Sequence, residues 1–288
     1  LKHYRIPVYF LRMRGQYLTS TKHFLEERKG YTEAELVLLY TPEQLDAMTA
    51  DEIQDGINEA FRHDEFDWNR EKGYRWNMHG RSCEHLHEIC YRCPRCGEDL
   101  SMEGKGSVIR CKVCGNGAEL DDCYAFRPLD SSCVIPESPT RWVEQERVNV
   151  IRAIRADPDY SFTEHVRLGK IPEDRTIGKK QTSVLCGEGD LTWDHAGIHY
   201  RGTKDGSDWS FDLGYETVYS LVIMTSTDHF ALYVNEDFYE FFPDRPSVGK
   251  ALLVTEEMHR LHVNTWKNFP WNDWMYEDAE GGSAGGRT

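Results

Sequence analysis

The chain has 288 residues, which suits two small domains or one large one, and its 34 Lys and Arg against 49 Asp and Glu give a net charge of −15. That charge argues against a general nucleic-acid-binding protein, which needs a broad positive field. Hydrophobic residues make up 39% of the sequence, enough for packed cores, and no apolar run approaches the roughly 20 residues of a membrane-spanning helix.

The first 40 residues combine a basic composition with strand-forming side chains. Residues 1–30 hold seven Lys and Arg against two acidic residues, whereas residues 31–72 hold three against twelve. Residues 5–15 are rich in β-branched and aromatic side chains and predict a buried strand, while the short run 34–40 fits a strand or a helix. Because the chain starts with Leu and no signal-peptide pattern is present after it, we expect it to begin inside a longer protein.

Two helix starts come next, in the acidic region. Thr41 stands three residues before Gln44, a spacing at which the two side chains can cap the first turn of a helix reciprocally. Thr49 and Glu52 repeat the same capping-box pattern. We therefore predict a helical segment over residues 41–85.

The cysteines supply the one specific motif. Two Cys-x-x-Cys-Gly knuckles lie 14 residues apart, and their cysteines are Cys93, Cys96, Cys111 and Cys114. This spacing brings four thiolates to one point from two tight turns, which suits the tetrahedral coordination of zinc. Because all four ligands are Cys, no position is left for a catalytic water, and we predict a closed, structural zinc ribbon over residues 86–124.

Neighbouring residues leave alternatives to this ligand set. Cys90, His85 and His87 lie just before the first knuckle and could replace a ligand, although a role in leading the chain into the ribbon suits them better. A redox pair would need a βαβ setting that the sequence lacks. The odd total of nine cysteines, four of them paired in knuckles, indicates metal binding in a reducing compartment, so we predict a cytoplasmic protein.

The C-terminal half is predicted to be rich in β-strands. Pro and Ser in residues 128–140 predict a linker, and an apolar stripe then predicts a helix over residues 141–156. Residues 160–182 are typical of turns, and from residue 183 short strands recur at the spacing of a small sandwich or barrel. Thr255, with two Glu directly after it, predicts the N-cap of a closing helix, and a Gly- and Ser-rich tail ends the chain.

Several segments, taken in order, resemble one family. Residues 7–19 are similar to the last strand and turn of bacterial 1-acylglycerol-3-phosphate acyltransferases. Residues 40–45, 49–53 and 63–71 are similar to the segments after that strand in a subgroup where a four-cysteine ribbon and a β-rich module come next. The resemblance implies a membrane-surface enzyme that moves a fatty acyl group from a thioester donor to a lysophospholipid hydroxyl.

The catalytic residues of that family have no counterpart in this chain. The family motif is a His with an Asp five positions later, in which the His acts as general base on the acceptor hydroxyl. None of the 12 His has an Asp at that position, and the nearest pattern, His79 with Glu84, lies in the wrong place in the order. We therefore predict an inactive C-terminal portion of such a protein, with no catalytic residue of its own.

Together these features predict an α+β chain built from several modules. They are the C-terminal edge of an α/β acyltransferase-like domain, a helical segment, the zinc ribbon, a linker with a helix, a β-rich module and a flexible tail. Their predicted boundaries are 1–40, 41–85, 86–124, 125–160, 161–268 and 269–288. The strand pattern of the β-rich module, closed by one helix, is similar to that of pleckstrin-homology-type barrels.

The charge distribution indicates the partners. Arg5, Arg12 and Arg14 are candidates for contact with an anionic membrane surface, on whose inner face the parent enzyme would be peripheral. Residues 183–269 hold fourteen acidic and six basic residues, which favours a protein partner over an anionic lipid headgroup. The alternative function is a zinc-ribbon adaptor for nucleic acid or protein, and a net charge of only +2 over residues 90–118 disfavours nucleic acid.

Overall fold

The computed structural model describes residues 1–24, 26–171, 183–224, 228–264, 275–276 and 279. Helices and strands are mixed along these ranges, as the α+β prediction expects. The described strands form three antiparallel sheets of two, four and seven strands. In the same ranges, no helix has both the length and the apolar character needed to cross a bilayer.

The two-stranded sheet contains β1 (Val8–Arg14) and β2 (Glu33–Tyr40), with the short helix α1 (Gln16–Thr19) between them. One face of this sheet is apolar on both strands and open to solvent. It is formed by the cross-strand pairs Tyr9 with Leu38, Leu11 with Leu36 and Met13 with Ala34. Its five large side chains are 45–67% exposed, so the prediction of a buried strand is wrong for this face.

Three helices come next and bring the predicted caps into place. They are α2 (Pro42–Ala47), α3 (Ala50–Phe61) and α4 (Glu65–Lys72). Both capping boxes form. The Thr41 and Thr49 hydroxyls accept from the backbone N–H groups of Gln44 and Glu52, and the Gln44 and Glu52 side chains accept in return from the backbone N–H groups of the two threonines. Leu45 and Ile53 pack with Tyr40 in a small core beside the two-stranded sheet.

The four-stranded sheet carries the cysteine knuckles. Its strands are β3 (Met102–Lys105), β4 (Val108–Cys111), β5 (Gly117–Leu120) and β6 (Phe126–Pro128), paired in that order. A 3-10 turn at Leu86–Glu88 leads into the first knuckle. The sheet extends past residue 124, since β6 pairs with β5 inside the segment predicted as a linker.

A long helix, α5 (Pro139–Ala156), then connects this sheet to the next one. It begins before the predicted residue 141 because Ser138 caps it and Pro139 occupies its first position, where the missing N–H costs nothing. Its side chains enter two cores: Trp142 packs with the cysteine-bearing sheet, and Ile154 packs with the seven-stranded sheet.

The seven-stranded sheet starts earlier than the sequence suggested. Its first strand, β7 (Ser161–Lys170), lies where turns were predicted for residues 160–182. Phe162, Glu164 and Val166 are buried in alternation along β7, and the buried Glu164 forms an ion pair with Arg245. The charged side chain on the inner face hid the strand pattern, because a strand with one buried face normally alternates apolar with polar residues.

The other strands complete an open sheet. They are β8 (Val184–Asp194), β9 (Gly197–Lys204), β10 (Ser207–Leu213), β11 (Val222–Ile223), β12 (Phe230–Val234) and β13 (Asp237–Pro243). Their order is β10-β9-β8-β7-β13-β12-β11, with every neighbouring pair antiparallel. Among the described residues β10 and β11 do not pair, so the predicted barrel is not closed by strand pairing.

The closing helix, α6 (Val248–His262), corrects the prediction of its start. Thr255 is not an N-cap but a buried residue in the middle of α6, where its hydroxyl donates to Ala251 O and accepts from the Trp193 indole N–H. A Thr with acidic residues after it fits the interior of a helix as well as its start. The tail predicted for 269–288 lies outside the described residues except for Met275, Tyr276 and Ala279.

Candidate metal centre

The four predicted cysteines come together. Their sulfurs lie within 4.8 Å of one another, with Cys93 Sγ 3.6 Å from Cys114 Sγ and Cys96 Sγ 3.8 Å from Cys111 Sγ. A tetrahedral zinc ion with Zn–S bonds of about 2.3 Å would separate its sulfur ligands by about 3.8 Å. The arrangement therefore fits zinc, and within the described ranges no other three His, Cys, Asp or Glu side chains converge in this way.

The two knuckles have the same backbone design. In the first, Gly97 N donates to Cys93 O at 2.9 Å, and in the second, Gly115 N donates to Cys111 O at 3.1 Å. Both glycines have a positive φ, +73° and +75°, which L side chains rarely adopt. The Gly after each pair, visible in the sequence, is what allows the chain to turn away from the four sulfurs.

Groups around the sulfurs act in both directions, since burial raises the pKa of the Cys93 thiol to about 12 while hydrogen bonds to Cys93 and Cys111 favour the thiolate form. Asn116 Nδ2 donates to Cys93 Sγ at 3.6 Å, and Val113 N donates to Cys111 Sγ at 3.4 Å. Burial opposes ionisation of Cys111, but contacts with Ser101 and with nearby backbone amides outweigh it and lower the pKa of this thiol to about 6. Because metal ions bind the thiolate, these contacts favour metal binding. No sequence pattern pointed to Asn116, which is fully buried and also bonds to Val134.

The basic residues that flank the motif have partners of their own. Arg92 forms an ion pair with Asp99, Arg95 donates to Ser132 Oγ, and Arg110 donates to Gly115 O. Arg92 and Arg95 also line a cavity of about 300 Å³ between the first knuckle and α5. Their charges stay close to the four thiolates and can offset the formal charge of −2 that the zinc centre would carry.

The neighbouring candidates are not members of the cluster. Cys90, His85 and His87 fall outside the group of converging ligands. Cys90 is fully buried, and burial raises the pKa of its thiol well above the usual value, so it is a neutral packing residue. Cys83 is buried as well and lies 3.2 Å from Ser107 O. Four cysteines with no open position can organise a fold, but they leave no site for a metal-bound water.

The three arginines proposed for membrane contact lie beside carboxylates. Arg12 is 3.4 Å from Glu35 and Arg14 is 3.4 Å from Glu33, across the two-stranded sheet on the face opposite its apolar one. Arg5 lies 3.7 Å from Asp46. Contact of these residues with an anionic surface stays a prediction.

Comparisons with protein-family models, with curated proteins and with solved structures find no match to this chain.

Proposed function

We propose that this chain is the non-catalytic C-terminal part of a phospholipid-biosynthesis acyltransferase-like protein. The reaction of the whole protein would be acyl transfer from a thioester donor to a lysophospholipid such as 1-acylglycerol-3-phosphate. The proposal is supported by the order of segments that resemble the family, from residues 7–19 through the cysteine knuckles. It is consistent with the absence of a His-x-x-x-x-Asp motif from the sequence.

The open apolar face of the two-stranded sheet is the observation that carries the proposal. A two-stranded sheet is at best marginally stable by itself, and a contiguous exposed apolar patch marks an interaction surface. On the opposite face, Val8 and Leu39 pack against the small core beside the sheet, so among the described residues the face with Leu36 and Leu38 is the one that lacks a cover. This is what the edge of a larger α/β domain would present, and we assign residues 1–40 to such an edge.

In this proposal the zinc ribbon is a structural part. Zinc, when bound, would cross-link the two knuckles through Cys93, Cys96, Cys111 and Cys114 and would supply folding free energy to a small sheet. A catalytic role for the metal would need an open coordination position, which a four-cysteine set does not provide.

We assign the β-rich module to the pleckstrin-homology type. The support is its topology: four consecutive strands, β7 to β10, lie on one side of the order, three strands lie on the other, and a helix comes after the last strand. The acidic composition of residues 183–269 favours contact with a protein, or support of the rest of the chain, over binding of anionic lipid.

The whole protein would act in the cytoplasm, peripheral at the inner face of the membrane. Arg5, Arg12 and Arg14 are proposed to contribute to contact with anionic lipid, and nucleic acid is not a proposed partner. The test replaces Arg12 and Arg14. Substitution of both by Glu would place four carboxylates on one sheet face together with Glu33 and Glu35, so Arg12→Gln with Arg14→Gln is the cleaner variant. Weaker co-sedimentation of the whole protein with anionic vesicles would support this contact, and unchanged co-sedimentation would contradict it.

The experiment for the main proposal compares this chain with the product of the whole gene. Both are assayed for acyl transfer from an acyl thioester to 1-acylglycerol-3-phosphate. We expect turnover only from the whole product, whose coding sequence upstream of Leu1 should contain an in-frame His-x-x-x-x-Asp motif. Turnover by residues 1–288 alone, abolished by a point substitution within them, would contradict the proposal, as would an inactive whole product without that motif.

A further inference from the structure

Arg92, the residue directly before the first cysteine of the centre, is held at both of its backbone polar groups by one helix. Its N–H donates to Glu146 Oε1 at 2.8 Å, and its carbonyl accepts from Trp142 Nε1 at 2.9 Å. Trp142 and Glu146 lie one turn apart on α5 and are almost fully buried. Two side chains of α5 therefore fix the position and direction of the backbone that enters the knuckle.

The side chain of Arg92 extends the same connection to α6. Arg92 Nη1 donates to Asp99 Oδ1, and the other oxygen of Asp99 accepts from Lys250 Nζ at 2.9 Å. Lys250 is in the first turn of α6, and its ammonium also lies 4.5 Å from the ring centroid of Phe162 in β7. The chain of contacts thus runs from the knuckle to the core of the seven-stranded sheet.

A backbone contact between α6 and the segment before the first knuckle reinforces this chain of contacts. Gly249 packs so closely against the segment before the knuckle that an added Cβ would lie 2.5 Å from Glu88 O and 2.9 Å from Ile89 Cα. A glycine is needed at this position because the helix and the segment approaching the knuckle touch backbone to backbone. The start of α6 and the approach to the metal centre therefore cannot move independently.

We propose that this Arg92 junction, formed by Arg92, Asp99, Trp142, Glu146 and Lys250, couples metal binding at the four cysteines to the stability of the seven-stranded sheet and α6. Coupling between two sites is reciprocal in free energy. If the helices hold the knuckle in the geometry that binds metal, metal binding must in turn stabilise the helices and the sheet they cover. The zinc ribbon would then stabilise the folded β-rich module as well as form a module of its own.

The test measures the affinity of the full chain for Zn²⁺ and Co²⁺ by competition with a chelator, with the absorbance of thiolate-bound Co²⁺ as the signal. Trp142→Phe removes the indole donor, and Glu146→Leu removes the acceptor. Since supporting contacts of a metal site typically change metal affinity 10–100-fold, we expect a loss of about tenfold in each variant. Glu146→Gln keeps an acceptor for Arg92 N–H and should restore the affinity.

A matched control separates coupling from a general loss of stability. Trp209→Phe makes the same substitution on β10, three strands away from β7 in the sheet order, where the indole packs against Tyr200, Phe211 and Tyr239. It should lower the melting temperature and leave metal affinity unchanged. Lys250→Met, at the α6 end of the junction, should lower metal affinity even though it lies far from the cysteines in sequence.

The reciprocal effect is read by hydrogen exchange. Removal of metal from the wild-type chain should speed exchange of the hydrogen-bonded α6 amides, beginning with Ala251, whose N–H donates to Ser247 O at 2.8 Å. Trp142→Phe should reduce the difference between the two states. If Trp142→Phe and Lys250→Met bind metal with wild-type affinity, the proposal is overturned. It is also overturned if the amides of α6 exchange at the same rate with and without metal. Should Glu146→Leu fail to fold, those two variants decide the question.

Discussion

Glu88 shows at the scale of a single residue how the approach to the metal centre depends on pH. It is buried, and its Oε2 atom has no hydrogen-bond partner among the described residues. Burial, with a smaller contribution from the Asp228 carboxylate, raises the pKa of Glu88 to about 8. Between the ordinary pKa of a Glu and this value the folded chain binds more protons than the unfolded chain, so stability falls as pH rises through that window.

We therefore expect Glu88→Gln to stabilise the protein in a pH-dependent way. Near pH 5 the variant and the wild type should unfold at similar denaturant concentrations, and near pH 8 the variant should be more stable by about 2–3 kcal/mol. Denaturant unfolding at the two pH values measures this difference. Glu103→Gln, at an exposed site, is the control and should show no such dependence. An equal effect of Glu88→Gln at both pH values would contradict the assignment.

Residue spacing predicted the four converging cysteines but not the side chains that support them. The four cysteines and the glycine after each pair could be identified because a knuckle is local and its chemistry is specific. Glu146 could not, since its partner Arg92 is 54 residues away and a single Glu on an amphipathic helix is normally solvated. Thr255 was misassigned for the same reason, because its partner Trp193 lies on a distant strand.

At the scale of elements, the contact between α5 and α6 is held by an ionic cluster. Arg147 of α5 is mostly shielded, with its side chain 16% exposed, and lies 2.6 Å from both Glu256 and Glu257 of α6. The two carboxylates raise the pKa of Arg147 although burial lowers it, so the guanidinium stays charged. These glutamates were predicted to favour the first turn of a helix, and in the structure they join two helices instead.

Arg147→Ala should be strongly destabilising. It would remove the Arg147 guanidinium from the almost fully buried Glu257 and leave that carboxylate with the Tyr276 hydroxyl and with Arg260 at 3.9 Å. Removing one member of a buried ion pair costs about 3–5 kcal/mol. Denaturant unfolding followed by far-UV circular dichroism provides the measurement. Lys170→Ala breaks the exposed pair with Asp205, which is screened by solvent, and should be far less destabilising. If the two variants lose similar amounts of unfolding free energy, the ionic cluster does not make the predicted contribution to stability.

Substitutions on the open face of the two-stranded sheet should have little effect on stability, unlike substitutions in the core beside it. Leu36 is 67% exposed and Leu45 is fully buried in the adjoining core. Leu36→Thr keeps a strand-forming residue at a mostly exposed site and should change the free energy of unfolding by less than about 0.5 kcal/mol. Leu45→Ala should cost about 2–5 kcal/mol.

Thermal or denaturant unfolding of the 288-residue chain compares the two variants. A large loss from Leu36→Thr would mean that the apolar face is already covered in this chain. That result would remove the main support for placing residues 1–40 at the edge of a larger domain.

At the scale of the whole molecule, the predicted modules share their cores. Tyr91, next to the first knuckle, packs in the core of the seven-stranded sheet, and Val143 of α5 contacts that core and the core of the cysteine-bearing sheet. Tyr124 donates to Leu18 O and so joins the cysteine-bearing sheet to the N-terminal segment. Composition predicted the order of the modules. The Pro and Ser in residues 128–140 gave no indication that the helix after them, α5, packs against both the cysteine-bearing sheet and the seven-stranded sheet.

The central claim is that four cysteines bind one structural metal ion on which this arrangement depends. Metal analysis of the purified chain, together with alkylation of native and chelator-treated protein, tests it most directly. We predict about one zinc per chain, with Cys93, Cys96, Cys111 and Cys114 protected until the chelator is added and residues 88–120 unfolded afterwards. Less than about 0.2 zinc per chain, with all four thiols alkylated in the native protein, would contradict the account.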